Sequence, residues 1–149
     1  MKTKLVLAML LAVVGCAAMR ASQARDAKIE SSVTRFTYKT ACNEVWASAR
    51  TMLFGQDYQV KSADAAAGLT LETEWKNAKD GSATRYLFQG TAPDPASCQV
   101  VATRAMKDKQ GKTNMSRDWH MEWNLLKQVD INSANEIDKE AQASDDQAR

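Results

Sequence analysis

The chain has 149 residues, of which 44% are hydrophobic and 26% are charged, a composition typical of one globular domain. Only two prolines and six glycines are present, which excludes a proline- or glycine-rich low-complexity protein. Because the formal net charge is only +2, the strong overall basicity typical of a nucleic-acid-binding protein is absent, and we expect no nucleic-acid partner.

The charge is unevenly divided along the chain. Residues 16–117 hold 15 basic and 10 acidic side chains, a net charge of +5, whereas residues 118–149 hold three basic and eight acidic ones, a net charge of −5. We expect a basic sheet-bearing body and an acidic helical end that complement each other.

The N-terminal segment has the pattern of a secretory signal. Residues 1–4 are short and basic, and residues 5–14 form an uninterrupted apolar run, too short to span a bilayer core as a stable helix. The next residues, Val13-Val14-Gly15-Cys16, resemble the lipobox of bacterial lipoproteins. The resemblance implies a signal peptide over residues 1–15, cleavage before Cys16 and lipid on that cysteine. The alternatives are an ordinary signal cut near Ala17 or a retained membrane helix.

The resemblance to lipoproteins also predicts where the protein resides. Two or more acyl chains anchor a protein stably to a membrane, and Ala17 is not the aspartate that retains lipoproteins in the inner membrane. This favours the periplasmic face of the outer membrane over the outer face of the inner membrane or the free periplasm. Residues 16–32 are polar and lack an apolar period, which predicts a flexible tether with a typical end-to-end distance of roughly 20 Å.

Two cysteines remain beside Cys16. In an oxidising compartment, Cys42 and Cys98 predict one disulfide, worth about 4 kcal/mol in the chain-entropy model. The alternatives are two buried free thiols, or a thiol nucleophile that uses His120 as its base. No family signature surrounds either cysteine.

The first predicted elements of the domain are a strand and a helix. Side chains of residues 33–39 divide alternately between two faces, and the segment is rich in β-branched and aromatic residues, which predicts a strand. A helix follows from about Thr40, its cap, to Gly55, its stop. Its apolar residues recur every three or four positions and predict one buried stripe: Cys42, Val45, Trp46, Ala49, Met52 and Leu53.

Four more strands are predicted from alternating apolar and polar residues. They cover residues 57–61, 69–76, 84–90 and 98–107. Asp80-Gly81 is typical of a hairpin turn between two of them. Residues 108–114 are polar and basic, which predicts a loop.

Two helices are predicted to close the chain. The first begins near Ser116, with Asp118 in its opening turn, where negative charge suits the helix dipole. Its apolar stripe contains Trp119, Trp123, Leu126 and Val129, widened by Leu125. The second helix, from about Ile131, is only weakly apolar. We expect residues 144–149 to be a disordered tail.

The order β-α-β-β-β-β-α-α predicts a single α+β domain over residues 33–143. We expect an antiparallel sheet of about five strands packed by one helix, with two C-terminal helices. The segment DYQVKSADAAAGLTLETEW follows a helix, and in Asp64, Gly68 and Trp75 it resembles BamC-like domains of outer-membrane lipoproteins. The resemblance implies an accessory role in the cell envelope.

No catalytic constellation is present in the sequence. The GxSxG, HExxH, Walker A and GxGxxG patterns are absent, and one histidine cannot make a typical histidine-rich zinc site. Helical spacing points His120 away from Asp118 and Glu122. Glu72 and Glu74 share a strand face and have the spacing of a carboxylate pair, but pairing with a neighbouring basic residue is favoured. We expect no enzymatic activity, metal or cofactor.

Two residue groups are candidates for binding a partner. The basic residues Arg104, Lys107, Lys109 and Lys112 suit anionic headgroups or an acidic partner, and the alternative is a solvated loop. Trp119 and Trp123 lie four residues apart on one helix face and suit a binding hot spot, and the alternative is core packing.

The favoured function is therefore a lipid-anchored periplasmic accessory protein that is not catalytic and binds another envelope protein. The alternative is a small-molecule or lipid-binding periplasmic domain, with an apolar pocket between the first helix and the sheet. An enzyme that uses a free cysteine and His120 is a third possibility.

Overall fold

The computed structural model describes Met19, residues 22–63 and residues 69–147. These residues form an α+β domain, which confirms the predicted fold class. Its helices are α1 (22–33), α2 (Cys42–Gly55), α3 (Trp119–Val129) and α4 (Ile131–Gln147). Its strands are β1 (Thr37–Tyr38), β2 (Val60–Ala63), β3 (Thr70–Thr73), β4 (Lys76–Asn77), β5 (Ala83–Thr91), β6 (Cys98–Lys107) and β7 (Thr113–Arg117).

All strand pairs in the sheet are antiparallel, as predicted. The main path runs β1-β6-β5-β3-β2, while β4 pairs with β5 and β7 pairs with β6. The hairpin of β5 and β6 is its longest ladder, from Ala83 opposite Lys107 to Thr91 opposite Gln99. The five-strand path agrees with the prediction, and β4 and β7 raise the number of strands among the described residues to seven.

Strand β7 lies where the sequence predicts a loop and the start of a helix. All five of its residues are exposed, so no alternation of apolar and polar residues marks it. It pairs with β6 through five consecutive residues. Helix α3 therefore begins at Trp119, with Asp118 as its N-cap, and the Asp118 side chain accepts the Met121 N–H at 3.1 Å.

Helix α2 packs on one face of the sheet through the predicted stripe. Its buried residues are Cys42, Val45, Trp46, Ala49, Met52 and Leu53, which confirms the predicted stripe residue by residue. They meet the buried side of the sheet, where Leu71, Phe88 and Ala102 have no exposed surface. The Trp46 and Phe88 rings pack edge to face, with centroids 6.4 Å apart.

The ends of α2 differ from the prediction. Ala41 is the N-cap and makes no side-chain cap bond, while the Thr40 hydroxyl donates instead to the Glu44 carboxylate. At the other end Gly55 is the last helical residue, and the left-handed conformation falls on Asp57, with φ of 60°. The Tyr58 N–H then donates to the Leu53 carbonyl at 2.9 Å, which turns the chain toward β2.

The predicted disulfide is confirmed. Cys42 and Cys98 are bonded, with Cα atoms 4.9 Å apart and a sequence separation of 56. The bond joins the first turn of α2 to the first residue of β6. Gly90 lies beside it, and a Cβ atom on Gly90 would lie 2.8 Å from Trp46 Cζ2 and 3.3 Å from Cys42 Sγ. The close approach of α2 to β5 therefore requires glycine at this position.

Residues 22–33 are helical, whereas the sequence predicts a flexible tether through residue 32. Ile29 and Val33 are 4% and 3% exposed, so α1 packs on the domain through residues four apart. Arg25 and Lys28 reach α4, where they pair with Asp138 at 2.7 Å and with Glu140 at 3.0 Å. Part of the acidic C-terminal charge is thus balanced by α1.

The C-terminal end also continues further as a helix than predicted. Helix α4 extends to Gln147, with Ala134 and Ala141 buried, whereas the expected tail begins at residue 144. Asp130 precedes the helix, and its side chain accepts the Ser133 N–H at 3.0 Å. The hydrogen bond from the Ser133 hydroxyl lowers the pKa of Asp130 below its ordinary value, and the capping bond lowers it further.

An ion pair with a buried carboxylate lies beside β6, between β1 and β7. Glu122 of α3 is 1% exposed. Its Oε1 accepts hydrogen bonds from the Ala102 N–H at 2.9 Å and from Arg117 Nε at 2.8 Å. Its Oε2 accepts one from Arg117 Nη2 at 2.9 Å. Arg117 Nη2 also donates to the Thr34 carbonyl at 2.9 Å. These bonds tie α3, β6 and the end of α1 together.

Among the described residues, no helix has both the length and the apolar character needed to cross a membrane.

Candidate functional site

A polar cleft of about 420 Å³ opens beside the N-terminus of α3. The end of α2, two central strands and the first turn of α3 all contribute to it. Its lining residues are Gln56, Tyr86, Arg104, Asp118, His120, Met121 and Asn124. We call this site the polar cleft.

Strand register places two of these residues side by side. Tyr86 on β5 lies directly opposite Arg104 on β6, on the sheet face that the helices cover. Both side chains converge on Asp118. The Tyr86 hydroxyl donates to Asp118 Oδ2 at 3.2 Å, and Arg104 Nε lies 3.5 Å from the same oxygen. Asp118 thus caps α3 with Oδ1 and accepts the Tyr86 hydroxyl in the cleft with Oδ2.

The phenols beside the cleft are neutral at pH 7. Burial raises the pKa of Tyr86 well above its ordinary value of 10.0, and the negative charge of Asp118 raises it further. Burial also raises the pKa of Tyr58, whose ring packs edge to face on Tyr86 with centroids 5.2 Å apart. Tyr86 therefore acts as a hydrogen-bond donor to Asp118.

Arg104 is incompletely satisfied by the protein. Its Nε is the one buried side-chain nitrogen or oxygen without a hydrogen bond among the described residues. The 3.5 Å separation from Asp118 keeps the ion pair but is long for an N–H···O hydrogen bond. Within the described part of the chain, the terminal nitrogens of Arg104 make no hydrogen bond, and 42% of the side chain is exposed.

His120 shares the cleft with Asp118, contrary to the prediction from helical spacing. Asp118 is the N-cap, with φ of −116° and ψ of 85°. Because it lies outside the helix, the helical angle between positions i and i+2 does not apply to it. Glu122, the other carboxylate of that segment, is buried in its pair with Arg117.

The opposite face of the sheet carries a second surface. In-register neighbours on antiparallel strands point to the same face, and this face is left open by α2 and α3. Eight adjacent positions are at least partly exposed, and we call them the open face: Thr37, Thr70, Leu87, Gln89, Thr91, Gln99, Val101 and Thr103. None of the eight is charged, and the charged residues Glu72, opposite Leu87, and Arg117, opposite Thr103, adjoin them.

Charged residues and one tryptophan border the open face at one end. Arg85 pairs with Glu72 across β5 and β3, as favoured for Glu72 over a catalytic carboxylate pair. Two cations contact the Trp75 ring, with Arg85 Cζ 4.8 Å and Lys107 Nζ 5.3 Å from its centroid. Glu74 lies outside β3 and is exposed.

The predicted basic group is divided between several locations. Arg104 lies in the polar cleft on the helix-covered face, while Lys107 lies against Trp75 on the other face. Lys109 and Lys112 are exposed in the turn between β6 and β7. The four side chains therefore do not form one basic surface.

Trp119 and Trp123 are both half-buried and pack against the hydrophobic core. The fully buried stripe of α3 is instead Met121, Glu122, Leu125 and Leu126. The Trp119 ring lies 3.6 Å from the His120 ring, and Lys127 Nζ lies 5.7 Å from the Trp123 ring centroid. A role in partner binding stays a prediction for both residues.

The remaining predicted sites are located as follows. Cys42 and Cys98 are joined, so neither carries a free thiol for His120 to activate. No three histidine, cysteine, aspartate or glutamate side chains of the described ranges cluster as metal ligands. Cys16, Asp64 and Gly68 lie outside the described residues.

Sequence reasoning missed the polar cleft because its residues are far apart in the chain. The sequence indicates only three of them, Arg104 as part of a basic group, Asp118 in the first turn of a helix and His120 as a possible base. Comparison of the chain with protein-family models finds no matching family, and comparison with curated proteins finds no match.

Proposed function

We propose that this protein is a lipid-anchored, non-catalytic accessory of the cell envelope that binds another envelope protein through the open face. The lipid would be attached to Cys16, and the protein would lie on the periplasmic face of the outer membrane. The observation that supports docking is the charge-free, partly exposed platform on strands β1, β6, β5 and β3.

The composition of the open face resembles the centre of a protein interface. Interface centres are depleted of charged residues, while their rims are polar and accessible. Val101 is 36% exposed at the middle of the platform, and Gln89 and Gln99 supply uncharged hydrogen-bonding groups. The Glu72–Arg85 pair and Lys107 then form a charged rim.

A lipid-binding function has less support. The space between α2 and the sheet is filled by buried side chains, among them Trp46, Leu53 and Phe88. The clefts that the described residues form on the surface are lined by polar as well as apolar groups. A small polar ligand in the polar cleft is the better alternative.

The test is affinity purification of the tagged protein from mildly crosslinked, detergent-solubilised membranes, with captured proteins identified by mass spectrometry. Val101→Glu adds a charge to the open face. Arg50→Glu, on the exposed side of α2, is the matched control. We expect an envelope protein that is captured by the wild type and by Arg50→Glu but not by folded Val101→Glu.

Cys16→Ser separates the anchor from the docking surface. If lipid is attached to Cys16, this variant leaves the membrane fraction, and partner capture that depends on proximity to the membrane falls. Equal capture by the wild type and Val101→Glu would refute docking through the open face. Unchanged membrane fractionation of Cys16→Ser would refute the anchor and leave the docking result standing.

A further inference from the structure

We propose that the polar cleft binds a carboxylate group, which the terminal nitrogens of Arg104 hold in a bidentate pair. The cleft lies on the helix-covered side of the sheet, whereas the open face lies on the other side. Its ligand and the partner of the open face are therefore independent, and each can be tested without the other.

The ion pair with Asp118 leaves the two terminal nitrogens of the Arg104 guanidinium available for a ligand. Asp118 lies on the Nε side at 3.5 Å. Both oxygens of Asp118 are already engaged, because Oδ1 accepts the Met121 N–H and Oδ2 accepts the Tyr86 hydroxyl. Asp118 thus orients Arg104, while the two terminal nitrogens, which have the geometry to bind a carboxylate by two parallel hydrogen bonds, have no hydrogen-bond acceptor among the described residues.

The rest of the cleft supplies further hydrogen-bonding groups. His120, Asn124 and Gln56 line it and make no side-chain hydrogen bond to another described residue. The volume of about 420 Å³ is within the range of small-ligand sites. Lys76 lies at the Gln56 end, where its Nζ donates to the Gln56 carbonyl at 2.7 Å.

The charges favour a carboxylate over a phosphate. The cleft has a single guanidinium, and no lysine side chain lines it. The adjacent Asp118 carboxylate would repel a dianion more strongly than a monoanion. A monoanion with two oxygens in one plane matches the single planar donor.

The experiment uses the full-length protein and follows the Arg104 Nε–H and Met121 amide signals by NMR. The probe is N-acetylglycine, and N-acetylglycinamide is its uncharged match. We expect saturable shifts of both signals with the acid only. The Arg104→Gln variant should bind the acid at least about ten-fold more weakly, because a charged hydrogen-bonding partner is lost.

Two further variants test whether binding needs the planar guanidinium and whether it is specific to Arg104. Arg104→Lys retains the positive charge but not the planar fork, so it should also weaken binding if the pair is bidentate. Arg85→Gln removes a different ion-paired arginine, on the opposite face of the sheet, and should bind N-acetylglycine like the wild type. Equal shifts with the acid and the amide, no binding by the wild type, or full binding by folded Arg104→Gln would each overturn the proposal.

A second arm distinguishes the source of the carboxylate. A hexapeptide with a free C-terminus is compared with the same peptide amidated. Tighter binding of the free peptide than of N-acetylglycine would identify a polypeptide end as the ligand. Binding no tighter than that of N-acetylglycine would identify a small carboxylic acid.

Discussion

Single residues in this protein carry constraints that their neighbours in sequence do not reveal. Asp57 adopts a left-handed conformation that is usually left to glycine, while Gly55, two residues earlier, has an ordinary helical role. Gly90 lies within strand β5 and has no positive φ, yet it lies against a tryptophan ring. The reason is tertiary packing of α2, which no local pattern contains.

Gly90→Ala should destabilise the domain by about 1–3 kcal/mol, because the added methyl group would overpack the interface with Trp46. Gly55→Ala is the matched control. No atom lies within 4 Å of a Cβ there, so alanine should stabilise the helix end by up to about 1 kcal/mol. Urea unfolding of both variants gives the two values. A Gly90→Ala variant as stable as the wild type would show that the Trp46 ring shifts without an energetic cost.

Helices and strands whose apolar residues recur at regular intervals were predictable from the sequence, and those without such a pattern were not. Helix α2 and strand β6 agree with the sequence because one apolar stripe and one alternating run mark them. Strand β7 has no buried residue, so its pairing with β6 leaves no sequence signal. Helix α1 buries only Ile29 and Val33 among polar residues, a stripe too sparse to distinguish from a linker.

The position of α1 in the domain is tested by Ile29→Ala. Since Ile29 is 4% exposed, its truncation should cost about 2–4 kcal/mol in the free energy of unfolding. Glu30→Ala, the adjacent exposed position, should change it by less than about 0.5 kcal/mol. Chemical denaturation measures both variants. If residues 22–33 were a tether without packing, Ile29→Ala would behave like Glu30→Ala.

At the scale of the whole molecule, the polar cleft and the buried phenols depend on how distant segments meet. The alternation of β5 predicts that Tyr86 shares a face with Phe88, but it cannot predict Arg104 opposite it or Asp118 above it. The sequence was sufficient for the layer arrangement and the disulfide. The polar cleft could not be predicted from the sequence, because the end of α2, strands β5 and β6, and α3 with its N-cap all contribute residues to it.

Buried tyrosines should make the domain sensitive to alkali. Burial raises the pKa of Tyr38 far above its ordinary value of 10.0, and the charges of Glu122 and Asp130 raise it further. Above pH 10 the unfolded chain releases this proton while the folded protein keeps it, so the free energy of unfolding falls as pH rises. Tyr38 alone should account for a loss of about 1.4 kcal/mol by pH 11.

The measurement is urea unfolding of wild type and Tyr38→Phe at pH 8, 10 and 11. The variant should lose less stability than the wild type between pH 10 and pH 11, while Tyr86 still contributes in both proteins. Parallel losses in the two proteins would show that Tyr38 ionises normally in the folded state.

The packed helix α1 has a consequence for how the protein would lie on a membrane. On the proposed lipid anchor at Cys16, only the residues from 17 to 21 separate the acyl chains from residue 22, a reach of roughly 20 Å when fully extended. A tether of the predicted length, through residue 32, would hold the domain further from the bilayer. On the proposed anchor, α1, which pairs with α4, would instead be the part of the domain nearest to the membrane.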